Sequence, residues 1–127
     1  MKKTTSMNTT EFRKELVKIM PGFSWTVQRP DKMIMGYLCA IGIKTSGFNR
    51  LCTLKVQRRE NDGEVRYEVW FSGYGKNSPW LGSMKDTTLA QALRGLQNSL
   101  EHRAQLFSGA ASYMRDGRKP NPKETEA

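Results

Sequence analysis

Three turns divide the stretch from Phe23 to Ser72 into four β-strand segments, and the registers they imply agree about which side chains share a face. This agreement constrains the fold more than any other feature. Strand side chains alternate, so a slip of one residue would exchange the buried and exposed faces. Phe23, Trp25 and Val27 alternate with Ser24, Thr26 and Gln28. Pro30-Asp31 suits the middle of a turn, which sets Val27 opposite Ile34 and Trp25 opposite Gly36. The run from Met33 to Lys44 reads as a long second strand. A five-residue loop from Thr45 to Asn49 then pairs Ile43 with Leu51, Ala40 with Leu54 and Leu38 with Val56. Asp62-Gly63 is a strong two-residue hairpin signal. It pairs Arg59 with Arg66, Gln57 with Glu68, Lys55 with Trp70 and Leu54 with Phe71.

These pairings sort Trp25, Val27, Leu38, Ala40, Leu54, Val56, Val69 and Phe71, with Ile34 and Cys52, onto one apolar face. The opposite face mixes Met35, Tyr37, Cys39, Ile41 and Trp70 with Lys55, Gln57, Arg59, Arg66 and Glu68. Helices flank the strands. Asn8 and Glu11 fit a capping box with Asn in place of Ser or Thr, and Phe12, Leu16, Ile19 and Met20 follow on one stripe until Pro21-Gly22. Thr88 and Gln91 fit a second box, and Leu89, Leu93, Leu96, Leu100 and Phe107 recur at helical spacing. That stripe suits packing on the sheet or pairing with a second copy. The predicted fold is α+β: a two-layer sandwich of helix, four-stranded antiparallel meander and helix, with both helices on the apolar face. One domain spans residues 9–114, between a disordered arm at 1–8 and a disordered basic tail at 115–127.

The layout is near the helix–three-strand–helix order of double-stranded-RNA-binding domains. Those carry lysines at the start of the last helix, where this chain has Thr87-Thr88-Leu89-Ala90-Gln91. No residue role carries over.

Catalytic constellations are missing. Gly73-Tyr74-Gly75-Lys76 lacks the spacing of a phosphate-binding loop and does not open into a helix. The single histidine, His102, lies between Glu101 and Arg103 on a helix, and the two cysteines, Cys39 and Cys52, belong to no metal-binding motif. The expectation is a non-enzymatic protein with no metal and no cofactor. No secretory leader and no membrane-spanning run is evident, so a cytoplasmic location is expected.

What remains is charge and the mixed face. Lys and Arg number 21 against 12 Asp and Glu, a net charge of +9 that favours anionic partners. Lys55 opposite Trp70 suits a cation–π contact. Arg59 opposite Arg66 places like charges together, an arrangement that destabilises an antiparallel pair and that a phosphate would relieve. Tyr37 and Trp70 offer stacking surfaces for unpaired bases. The predicted function is therefore nucleic-acid binding, with single strands favoured, through Tyr37, Lys55, Arg59, Arg66 and Trp70. The alternative is an inhibitor or adaptor that binds an acidic protein through the same face and a glycine-rich loop carrying Tyr74, Lys76 and Trp80. A second copy covering the sheet face as a homodimer fits the apolar part of that patch equally well. Trp80 suits either a contact surface or a cap over the core.

Overall fold

Asn8 opens the first helix as its sequence promises. Its side-chain oxygen accepts from Glu11 N at 2.8 Å, and the Glu11 carboxylate accepts from Asn8 N at 3.0 Å. The computed structural model describes residues 7–28, 36–75 and 77–120. In chain order these form α1 (Thr9–Ile19), β1 (Ser24–Val27), β2 (Tyr37–Ser46), β3 (Asn49–Asn61), β4 (Glu64–Ser72), β5 (Trp80–Asp86) and α2 (Leu89–Asp116). The fold is α+β, with a five-stranded antiparallel sheet in the order β1-β2-β3-β4-β5.

The fifth strand corrects the expected four. The segment from Gly73 to Ser83 reads as a loop because of its glycines and Pro79, yet from Trp80 it pairs with β4, Ser83 facing Trp70 and Lys85 facing Glu68. Sheet pairing overrides the weak local strand preference of Gly82 and Ser83.

Two of the three expected registers also shift. Val27 faces Ala40 rather than Ile34, and Trp25 faces Gly42 rather than Gly36. The β1–β2 connection is therefore longer than a two-residue turn on Pro30-Asp31, which itself lies outside the described residues. In the next hairpin Ala40 faces Val56 and Ile43 faces Thr53. The expected five-residue loop shrinks to Gly47-Phe48 between Ser46 and Asn49, with a bulge between Lys44 and Thr45. Gly47 takes φ +61° there, in the left-handed region that glycine occupies freely. The β3–β4 hairpin keeps the expected register at every pair. Asp62 and Gly63 both have positive φ, the backbone that a type I′ turn demands.

Because both shifts are even in number, the two faces survive them. On one face Trp25, Leu38, Ala40, Leu54, Val56, Tyr67 and Val69 are buried. There α1 contributes Phe12 and Leu16, neither of which retains any accessible surface. Trp25 is tied to α1 and its C-cap: Arg13 donates to Trp25 O at 2.8 Å, and the indole N–H donates to Met20 O, just past the helix, at 3.1 Å. Its ring lies so close over Gly42 that a Cβ added there would sit 2.7 Å from it, so only glycine fits opposite this tryptophan. Arg58, which the apolar pattern leaves out of the core, is buried on this face as well.

The chain divides into two compact units, residues 1–96 and 97–127. The first holds α1, the sheet and the opening turns of α2, where Leu89, Ala92 and Leu96 are buried. Gly95 in those turns packs against Met84, the residue opposite Val69. Thr88 Oγ1 accepts from Gln91 N at 3.2 Å, half of the expected box; the Gln91 side chain turns instead to Thr87. The second unit holds the remainder of α2, which passes Gly109 and continues to Asp116.

Candidate nucleic-acid interface

The face of the sheet opposite the buried one is organised in cross-strand rows. In the first, Tyr37 of β2, Arg59 of β3 and Arg66 of β4 stand side by side. In the second stand Cys39, Gln57, Glu68 and Lys85. The third holds Ile41, Lys55, Trp70 and Ser83. All five residues expected to form the sheet site thus share one surface, spread over three adjacent strands.

Two cation–π contacts hold the arrangement. Lys55 Nζ lies 5.0 Å from the Trp70 ring centre, and the Arg59 guanidinium carbon lies 5.0 Å from that of Tyr37. Each cation thereby lies over an aromatic ring of a neighbouring strand. Burial, then the neighbouring Cys39, pushes the Tyr37 phenol above its ordinary value, while Arg59 pulls the other way. At neutral pH its ring is therefore uncharged. Arg59 and Arg66 stand directly opposite each other, and among the described residues neither forms a salt bridge, to Glu64, Glu68 or any other carboxylate. Between them and Lys85 lies a depression of about 320 Å³, lined also by Gln57, Tyr67 and Glu68. Three cations against one carboxylate make it an electropositive hollow.

Sequence reasoning misses Lys85, because recognising its face requires knowing that β5 exists. The weak alternation of Gly82, Met84 and Asp86 with Leu81, Ser83 and Lys85 is the only local signal. Nor is this face uniformly open, since the small side chains of Cys39, Thr53 and Ser72 are buried among their larger neighbours. Tyr37 and Trp70 stand two strands and two rows apart, about 16 Å at ordinary sheet spacings. They cannot clamp one flat group between them. They can each receive a separate one.

The chain matches no protein-family model, no curated protein and no solved structure.

The glycine-rich loop forms a second surface. Tyr74 and Trp80 are exposed, so Trp80 does not cap the core; Lys76 lies outside the described residues. Gly75 N donates to Arg50 O at 3.0 Å, which lays this loop beside the β2–β3 hairpin, whose tip residue Phe48 is fully exposed. Sequence reasoning overlooks Phe48, since an isolated aromatic in a loop gives no periodic signal. Burial pushes the Cys52 thiol up, with Lys44 pulling it back, so it is not the lowered thiolate that nucleophilic chemistry requires. Among the described residues no His, Cys, Asp and Glu group could hold a metal ion, and no helix is long and apolar enough to cross a membrane.

Proposed function

We propose that this is a small non-enzymatic protein that binds nucleic acid, single strands in preference, on the open face of its sheet. The observation that carries the reading is the opposed pair Arg59 and Arg66, unpaired by any carboxylate among the described residues and joined by Lys85 around one hollow. Holding like charges together costs stability, and an anion between them recovers it. Phosphates are the anions that a nearby aromatic surface also favours, because the attached bases stack on Tyr37 and Trp70. The spacing of the two rings suits unpaired bases a few nucleotides apart on one strand, whereas a duplex hides its ring faces. Lys55 beside Trp70 adds a phosphate contact next to a stacked base.

Titration of single- and double-stranded oligonucleotides across a range of salt tests this reading. With Lys55, Arg59, Arg66 and Lys85 each neutralising a phosphate, the logarithm of affinity for a single strand should fall with that of salt at a slope near −3, about −0.7 per contact. Trp70→Ala should weaken single-strand binding by about 1–3 kcal/mol while leaving the fold intact. Absence of binding to either probe at low salt sinks the proposal.

A second reading draws on the exposed Tyr74, Trp80 and Phe48 around the glycine-rich loop. It makes the protein an inhibitor or adaptor that engages an acidic protein through that loop and the sheet face. Trp80→Ala separates the two: it should leave oligonucleotide affinity unchanged under the first reading and abolish partner binding under the second.

A further inference from the structure

We propose that the C-terminal half of α2 is a self-association surface whose occupant is the same helix of a second copy of this chain. The inference is independent of what the sheet binds. Leu106, Phe107, Tyr113 and Met114 are 58%, 73%, 79% and 70% exposed, the densest run of exposed large apolar side chains in the described chain. They are not scattered. Leu100, Phe107 and Met114 recur every seven residues, and so do Leu106 and Tyr113. At 100° per residue the first three lie within about 40° of one line along the helix. Between the two rows runs Ala110, small enough to form the floor of a hole.

A repeat of seven is the period at which two helices keep a seam in contact by supercoiling, each large side chain entering a hole on the other. A helix that carries both the knobs and the small-residue holes is complementary to itself. Its opposite side is polar: Gln97 donates to Glu101 at 3.2 Å, and Gln105, Ser108 and Ser112 continue that face.

Charge decides among the occupants. From Gln97 to Asp116 the helix carries Glu101 and Asp116 against Arg103 and Arg115, two of each sign, so this segment is neutral in a chain of net +9. Helices that lie on anionic membranes are rich in Lys and Arg along their polar side, and this one is not. A polyanion finds no excess of cations here either. A neutral helix repels its own copy least. The area is adequate as well: the four large side chains offer roughly 500 Å² per copy, so a pair would bury on the order of 1,000 Å², where specific interfaces begin.

Sedimentation equilibrium of the full chain over a wide concentration range tests the proposal. The mass should rise with concentration from 14.5 kDa to twice that value. Phe107→Glu should hold it at the monomer value with the far-ultraviolet helix signal unchanged. Should that variant lose helix, Phe107→Ala combined with Met114→Ala, which favours helix, should show the same loss of mass. Trp70→Ala, on the sheet, should dimerise like the parent. A parent monomeric at every concentration, helix variants that still dimerise, or a dimer lost in Trp70→Ala would each overturn the proposal.

Discussion

The Tyr67 hydroxyl accepts from Arg58 Nε at 3.1 Å and donates to Glu15 at 2.8 Å, so a single oxygen joins β3, β4 and α1. Arg58 also meets Glu60 at 3.3 Å and lies 5.8 Å from the centre of the Tyr67 ring. A buried guanidinium needs such company, because an unpaired charge in the core costs several kcal/mol. Burial first, and then the bond to Glu15, pushes the Tyr67 phenol up from 10.0 to about 12. The folded protein therefore favours the neutral phenol more than the unfolded chain does. Its contribution is complete below pH 10.0 and is lost as pH rises through about 12. At most it amounts to about 3 kcal/mol. Tyr67→Phe should cost about 1–3 kcal/mol at neutral pH, since Arg58 and Glu15 each lose a partner. Denaturant unfolding across the alkaline window should also show a shallower loss in the variant. An identical alkaline profile would remove this role from Tyr67.

Among the elements, the β3–β4 hairpin bears most on function, because it sets Arg59 against Arg66. Arg66→Glu turns that repulsion into an attraction across the strands. It should raise the unfolding free energy by up to about 1 kcal/mol and weaken oligonucleotide binding, both measurable on one preparation. A variant less stable than the parent would mean that the opposed arginines are not a source of strain. This hairpin was legible in the sequence because Asp62-Gly63 permits one tight turn and hence one register. The β2–β3 hairpin was less so: a bulge at Lys44 absorbs a residue that counting from the loop cannot anticipate. For β1 and β2 the apolar run is long enough to pair at several offsets, and the close fit of Trp25 over Gly42 selects one. Side-chain parity survived each error because core burial permits only even shifts. For this reason Tyr37, Lys55, Arg59, Arg66 and Trp70 came out on one surface, whereas Lys85, on an unrecognised strand, did not. Arg58 lies outside the apolar pattern because its place in the core rests on Tyr67 and Glu60, which no local pattern reveals.

For the whole molecule, a net charge of +9 acts on folding and on binding with opposite sign. Like charges crowded into a compact chain repel, and screening relieves that repulsion. Moderate salt should therefore raise the melting temperature by a few degrees, equivalent to about 1 kcal/mol or less, over the range in which oligonucleotide affinity falls. A melting temperature that drops with salt would show that attractive pairs outweigh the excess. The bond between Glu15 and Tyr67 spans 52 positions of sequence, and this has a consequence for how the protein is made. During synthesis α1 and β1 emerge together and can pair through Trp25 at once, but the Tyr67 bridge waits until β4 has left the ribosome. In that interval Glu15 and Arg58 lack the hydroxyl that joins them in the folded protein.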